Sequence, residues 1–464
     1  MDGGVVQVGE RLIVDQEVAG SSPASPTKRG NVILKGHVLD ILPSLESDHF
    51  HAVVTSPPYW SLRKYDIPDV TWPDSWRGQL GLEPTIGLYV SHLIVVFRAV
   101  KRVLRPDGTL WVNIGDSYFG DSPVRSSSME QFDPTKQTVL KRSAGGIRRS
   151  AASTDGLKPK DLCLIPARFA LAMQEDGWWL RSDIIWAKPN PMPEAVDGWH
   201  WERHKIKVNA ARRPRQCFHH SEGREISVPV SQQPKTEWTD CPGCPKCSPN
   251  DGLVLERGSW RPTNSFEHIY MFTKSPKYFC DADAVREKNA DPTRTNFTAG
   301  GRSRGINKDR NDNDLGERSK NFVAAGRNLR SVWEIVTQPY REAHFATYPE
   351  EVPRRCILAG TSSRGCCPQC GSPWARVIKK SLISLRPNFD KQRGNYLSRT
   401  IGWRRTCEHD TSGIAIPCRV LDPFIGSGTT GKVAESLSRD WVGIDLGYKS
   451  MSRKRSVTTM GLAL

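Results

Sequence analysis

The chain has 464 residues, enough for one large domain carrying inserted modules, and it holds no run of about 18 apolar residues, which excludes a membrane-spanning helix. Hydrophobic residues make up 37% and charged residues 25%, and the first residues lack the basic-then-apolar pattern of a secretion signal, so a polar, globular, cytoplasmic protein is expected. The 66 Lys and Arg against 50 Asp and Glu leave a net charge of +16, which suits a polyanionic partner and says nothing of fold.

Residues 1–30 are rich in turn formers with no apolar period; they are expected to be disordered or a spurious extension, with the true start near residue 30. Asn31-Val32-Ile33-Leu34 predicts a short strand and 38–42 a turn into a helix. His51-Ala52-Val53-Val54-Thr55 predicts a buried strand that stops at Ser56-Pro57-Pro58, because two prolines continue neither a central strand nor a helix. Apolar residues at Leu88, Leu93, Val96, Val100, Val103 and Leu104 predict a helix over 88–104, ended by an Arg105-Pro106-Asp107-Gly108 turn, with a strand over 109–114. Residues 120–160 are polar, basic and loop-like; 164–176 predicts a helix and 178–187 a strand. Residues 190–330 have weak periodicity, and their charged part, 288–327, is expected to be flexible. Order returns at 332–360, a cysteine-bearing insert spans 364–412, and 418–448 reads strand, glycine turn, helix, strand. Strands alternating with helices predict a mostly parallel sheet covered on both faces, with ligands at the carboxyl ends of its strands.

Two turns fall at such ends. In Asp422-Pro423-Phe424-Ile425-Gly426-Ser427-Gly428-Thr429 the glycines allow close backbone approach, and the helix start offers N–H groups to a carboxylate. The next strand, Trp441-Val442-Gly443-Ile444-Asp445, ends in an acid suited to ribose hydroxyls. The turn lacks the phosphate-binding Gly-x-x-x-x-Gly-Lys-Ser/Thr pattern, so an adenosyl group with a carboxylate fits better than a triphosphate. A plain structural connection between strand and helix is the competing reading. The other turn, Val54-Thr55-Ser56-Pro57-Pro58-Tyr59, offers a hydroxyl at Ser56, a carbonyl acceptor at Pro57 and a ring at Tyr59; its bland reading is a proline-stiffened bend.

Together these motifs resemble the amino-methylating DNA methyltransferases, in the permuted group whose catalytic motif precedes the cofactor motif. The similarity runs over about 31–120, 161–190, 258–280 and 331–448, and takes in Trp111-Val112-Asn113-Ile114-Gly115-Asp116 and His344-Phe345-Ala346-Thr347-Tyr348-Pro349-Glu350. The resemblance implies a Rossmann-like, S-adenosylmethionine-dependent α/β sheet with an inserted target-recognition region and a small zinc-binding insert. It divides the chain into a catalytic half (31–190), a recognition insert (191–330), a cofactor segment (331–363), the zinc insert (364–412) and a cofactor-binding half (413–464). It implies a grip on an extruded base by Ser56, Pro57, Pro58 and Tyr59, and cofactor contacts from Phe345, Thr347, Asp422, Phe424, Gly426, Ser427, Gly428, Thr429 and Asp445. Ser56 resembles the N4-cytosine version of the loop; N6-adenine stays open, as does a DNA-binding zinc protein that has lost catalysis. Expected partners are duplex DNA, read by an insert rich in Arg and Lys with Trp199, Trp201 and Trp260, and a cognate restriction enzyme. One departure stands out: Gly36-His37 occupies the place of the family's Gly-Asp, whose acid meets the cofactor's adenine.

Of the twelve cysteines, Cys241, Cys244 and Cys247, and Cys366, Cys367 and Cys370, cluster at a spacing that reads as metal ligands rather than disulfides. Cys367 and Cys370 with Cys407 and His409 predict a structural zinc site, with Cys366 and Cys418 as competitors. Cys241, Cys244 and Cys247 could form a second, with Cys217, His219 or His220 completing it.

Overall fold

The structure is a computed structural model and describes residues 31–61, 63–65, 67–119, 125–126, 156–191, 198–209, 216–221, 224–229, 236–287, 327–337, 348–384 and 395–446. The N-terminal extension, most of the 120–160 loop, nearly all of 288–327, and Phe345 and Thr347 lie outside the described residues.

An eight-stranded sheet forms the centre. In chain order its strands are β1 (Val32–Lys35), β2 (Phe50–Thr55), β3 (Leu104–Ile114), β4 (Trp179–Ala187), β5 (Phe266–Thr273), β6 (Val332–Glu334), β7 (Arg419–Asp422) and β8 (Asp440–Asp445). They lie in the order β1-β8-β7-β2-β3-β5-β4-β6. All pairs are parallel except those of β5, which runs against both β3 and β4. The predicted turn at 105–108 is taken up inside a strand. Phe50 pairs with Leu104 and Ala52 with Thr109, so the extra residues bulge between two ladder positions.

Side chains alternate across the sheet, and that period builds two cores. Val53, Leu110, Val112, Tyr270, Phe272 and Leu421 pack on one face with α1 (Val38–Ile41), α2 (Ile86–Val103) and α3 (Ile165–Glu175). Val54, Trp111, Ile269, Met271 and Val420 pack on the other with α4 (Glu351–Gly360) and α5 (Thr429–Ser436). The α2 helix starts where Thr85 Oγ1 accepts from Leu88 N at 3.1 Å. Its buried stripe runs Tyr89, Leu93, Val96, Phe97, Val100 and Val103, and burial of each such side chain contributes about 1.5–3 kcal/mol.

The chain divides into two compact units, 191–264 and the rest. The smaller unit ends earlier than the 330 expected for the insert, because residues 266–273 supply the antiparallel strand of the sheet. It consists of two-stranded ribbons: Trp199–Arg203 with Leu253–Arg257, Lys205–Asn209 with Thr236–Asp240, and Gln216–Ser221 with Arg224–Pro229. In the larger unit, Trp374–Ser384 and Asn395–Arg405 form a long hairpin within the 364–412 insert. No helix among the described residues is long and apolar enough to cross a membrane.

Candidate active site

Parallel strands β2 and β7 are neighbours, so the loops after them lie side by side although hundreds of residues separate them in sequence. The seam is a buried carboxylate. Asp422, at the end of β7, accepts from Thr55 Oγ1 (2.6 Å) and Phe424 N (3.0 Å) on one oxygen, and from Thr430 Oγ1 (2.5 Å) and Tyr348 OH (3.3 Å) on the other. Tyr348 and Thr430 are also bonded to each other. One acid thus ties together the residue before Ser56, the glycine turn, the first turn of α5 and the segment leading into α4. Burial raises the Asp422 carboxyl to about 6, against the pull of those four donors. The carboxylate expected to touch the cofactor is therefore spent on holding the two motifs together.

The glycine turn follows. Gly426 and Gly428 have φ of 45° and 81°, conformations that only glycine adopts without strain. A Cβ placed on Gly426 would meet only Phe424 O, at 3.8 Å, so the turn is open on that side. Ser427 Oγ and Thr429 Oγ1 are 3.2 Å apart. Ile425 N donates to Ile444 O (3.1 Å), which sets the turn beside the end of β8, where Asp445 is buried. Gly36 N donates to Asp445 O (3.1 Å), and this brings His37 to the same end of the sheet. His37 stands edge-on to Trp72, with ring centroids 5.2 Å apart. Burial lowers its pKa more than nearby Asp40 raises it, leaving a neutral imidazole where the family's acid would stand.

The Ser56-Pro57-Pro58-Tyr59 loop is gripped from several sides. Tyr59 OH donates to Glu267 Oε2 (2.6 Å) and accepts from Asn113 Nδ2 (2.8 Å), which also donates to Glu267 Oε2 (2.8 Å). Lys188 completes the cluster with an ion pair to Glu267 Oε1. Burial and the Glu267 carboxylate push the Tyr59 hydroxyl well above its ordinary range, so it stays a protonated donor. Gly115 leaves room for the ring: a Cβ there would lie 2.7 Å from Tyr59 Cε2. Ser56 Oγ is 3.4 Å from Tyr59 OH. The Pro58 carbonyl is taken by Tyr89 OH (2.8 Å), whereas no donor reaches the Pro57 carbonyl among the described residues. Behind the loop, buried Glu83 accepts from Gly81 N (2.8 Å) and meets His92 Nδ1 (2.9 Å), while His92 Nε2 meets Asp74 (3.1 Å). Burial would lower the His92 pKa, but bonds to two carboxylates outweigh it and raise the value.

Glu267, Lys188, Tyr348 and Thr430 were not among the sequence-predicted site residues. The signal for Glu267 is a lone carboxylate in the apolar run Phe266–Thr273. Asp116, in the resembling strand, caps α3 by accepting from Ile165 N (3.1 Å) and Ser117 N (2.9 Å).

Cys367, Cys370, Cys407 and His409 meet as their spacing predicts, with all four ligand atoms within 4.8 Å of one another. Arg105 Nη1 donates to Cys370 O (2.8 Å) and His51 Nε2 to Gly371 O (2.7 Å), which clamps the turn to the starts of β2 and β3. A six-residue strand at about 3.3 Å per residue separates that end of the sheet from Ser56. His51, Cys366 and Cys418 also cluster. His51 is spent, however: its Nδ1 accepts from Arg419 N at 3.0 Å while Nε2 donates to Gly371. The other cysteine group differs from the expectation. Cys217, His219 and His220 fall on the Gln216–Ser221 ribbon, whose side chains lie outside those described, and among the described residues His204 is the side chain that groups with Cys241, Cys244 and Cys247.

Comparison with known proteins identifies the family. A family model described as DNA methylase, for N6 and N4 methyltransferases, matches residues 50–367 and 419–452. The type II methyltransferase M.Cfr9I of Citrobacter freundii is 31% identical over 417 residues, covering 90% of this chain and 84% of the relative. M.XycI of Xanthomonas campestris pv. cyanopsidis is 32% identical over 423 residues, covering 90% and 84%. Among solved structures, a PvuII DNA methyltransferase (cytosine-N4-specific) is similar over 92% of this chain and 89% of that one, at 15% identity and a TM-score of 0.43. The chain belongs to the DNA methylases, the N6 and N4 amino-methylating DNA methyltransferases.

Proposed function

We propose that the protein transfers a methyl group from S-adenosylmethionine to N4 of cytosine within a specific duplex DNA sequence. The observation that carries the reading is the Asp422 seam, which holds Thr55 and Phe424 on one carboxylate oxygen and so sets Ser56 beside the open glycine turn. The residues present fit the cofactor. The turn at Gly426 has free space on its inner side, Gly428 opens α5, and buried Asp445 sits at the adjoining strand end, placed to meet ribose hydroxyls. Phe424, Ser427 and Thr429 border that space, and neutral His37 is the group offered toward the adenine side in place of an acid. When bound, S-adenosylmethionine supplies an electrophilic methyl on a sulfonium, a good leaving group.

The chain's own work is to position and polarise. An exocyclic amino nitrogen is a poor nucleophile because its lone pair is delocalised into the ring. Ser56 Oγ and the Pro57 carbonyl, which no donor among the described residues reaches, accept its hydrogens, so the nitrogen turns its lone pair out of the ring plane. Tyr59, locked by Glu267 and Asn113, presents a fixed ring for an extruded base. Alignment carries much of the rate; the methylated nitrogen is cationic and strongly acidic, so it sheds its extra proton to solvent past Ser56 Oγ and no strong base is needed. Ser56 favours cytosine over adenine, and N6-adenine methylation is the second reading. A cognate restriction enzyme is the expected partner, and the 191–264 unit, with exposed Trp199, Trp201 and Trp260, is the surface offered to DNA.

At the far end of β2, Cys367, Cys370, Cys407 and His409 would hold a structural zinc; four protein ligands leave no open position for chemistry. The test of function is labelled-methyl transfer to unmodified DNA followed by nucleoside analysis. N4-methylcytosine is expected, N6-methyladenine would move the assignment to the second reading, and neither product would leave a DNA-binding zinc protein without catalysis.

A further inference from the structure

The described side chains of the 191–264 unit form almost no apolar core. Among its described residues Cys247 is the sole buried hydrophobic one, while Trp199, Trp201, Trp238 and Trp260 are more than half exposed. A unit of this size without a core needs a staple to hold one structure. The strands show where the staple lies. His204 is the single residue between Trp199–Arg203 and Lys205–Asn209. Cys241 directly follows Thr236–Asp240, and Cys244 and Cys247 lead through a short turn into Leu253–Arg257. Two ribbons therefore converge on four ligand atoms that lie within 4.8 Å of one another. Main-chain bonds converge there too, from His204 N to Gly252 O (3.0 Å) and from Cys241 N to His204 O (2.7 Å).

We propose that His204, Cys241, Cys244 and Cys247 bind a structural zinc ion that joins these two ribbons and so holds the unit in one shape. The distances suit a tetrahedral ion. Cys244 Sγ and Cys247 Sγ are 3.7 Å apart, and Cys244 Sγ and His204 Nδ1 are 3.3 Å apart. Two thiolates at about 2.3 Å from one zinc stand about 3.8 Å from each other, whereas a disulfide needs about 2.05 Å. Binding releases the thiol protons to solvent, with no redox step. The ion fixes the ribbons that carry Trp199 and Trp201 on one face of a strand, Trp199 under the Arg257 guanidinium (5.0 Å), and Trp238 under Lys207 (5.0 Å). That this surface meets DNA rests on the function proposed above; the metal site does not.

The experiment is zinc content per chain, by mass spectrometry of the intact purified protein, with a thermal melt to confirm folding. Wild type is expected to hold two zinc ions, and Cys244→Ser and Cys370→Ser one each. His204→Ala is expected to lose one ion and His204→Cys, which restores a fourth ligand, to regain it. One ion in wild type, absent from Cys244→Ser and retained in Cys370→Ser, would uphold this site and remove the one at Cys367. Unchanged zinc content in folded Cys244→Ser and His204→Ala would overturn the proposal, whatever the activity.

Discussion

The two compact units reach order by different physics. The larger closes around two apolar clusters on either face of a sheet, with Val53 and Val54 of one strand facing opposite cores. The smaller leaves its tryptophans outside and brings three thiols and an imidazole to the point where its ribbons meet. A unit held by a core keeps reacting groups fixed from behind. A unit held at one polar point is free to spend its aromatic surface on a partner. On this view the chemistry and the cofactor depend on the first unit, and the grip on DNA depends on the second.

Five measurements press on that division. The largest effect concerns the buried carboxylate at the seam of the sheet unit. Burial raises Asp422 from 3.8 to about 6, so the folded chain holds that proton more tightly than the unfolded one. Its stabilising contribution is complete below pH 3.8 and is lost as pH rises to about 6. Thermal melts of wild type and Asp422→Asn across pH 3 to 8 should shift in the variant's favour by about 3 kcal/mol as pH rises, and a flat difference would remove the buried-charge account. Next comes Ser56→Ala, expected to lower turnover about 100-fold while leaving cofactor affinity and DNA affinity within about twofold. Asp445→Ala should do the converse, weakening S-adenosylmethionine binding by about 30-fold in calorimetry. Equal affinity would withdraw the ribose assignment.

The fourth measurement addresses the smaller unit. Trp199→Ala should weaken DNA binding by about tenfold in fluorescence anisotropy with cofactor binding untouched, since loss of one stacking ring costs about 1–3 kcal/mol. An effect on the cofactor instead would break the division of labour. The smallest effect is expected from Glu267→Gln, which keeps the shape around Tyr59 but removes the charge facing Lys188. A turnover loss of about fivefold is expected, in line with the modest extra strength of a charge-assisted bond.

Much of the sheet unit was legible because its information is local. Helix α2 showed in its apolar spacing, and both motif turns in prolines and glycines that permit few backbones. What spacing does not show is where a side chain points once the chain closes on itself. Asp422 read as a cofactor contact, yet two of its four donors come from distant segments, Thr55 and Tyr348, and the others from its own turn and the helix after it. Glu267 was passed over because an acid in a strand usually faces water, and here Asn113, Tyr59 and Lys188 make it a hub. His204 was missed because it lies 40 residues from Cys244, while nearer histidines looked more convenient. The Arg105–Gly108 turn was seen in sequence, but its absorption into a bulge depends on pairing with β2.

The Asp422–Thr55 bond spans 367 residues, and β7 enters the sheet between β8 and β2. During synthesis the Ser56 loop leaves the ribosome early and waits for its partner strand. At about 5–20 residues per second that delay is roughly 20 to 70 seconds. Throughout it, one edge of β2 has no β7 to pair with, and the two halves of the reaction centre cannot meet. A nascent chain that has not yet reached Asp422 therefore holds the Ser56 loop without the carboxylate and glycine turn that complete the centre.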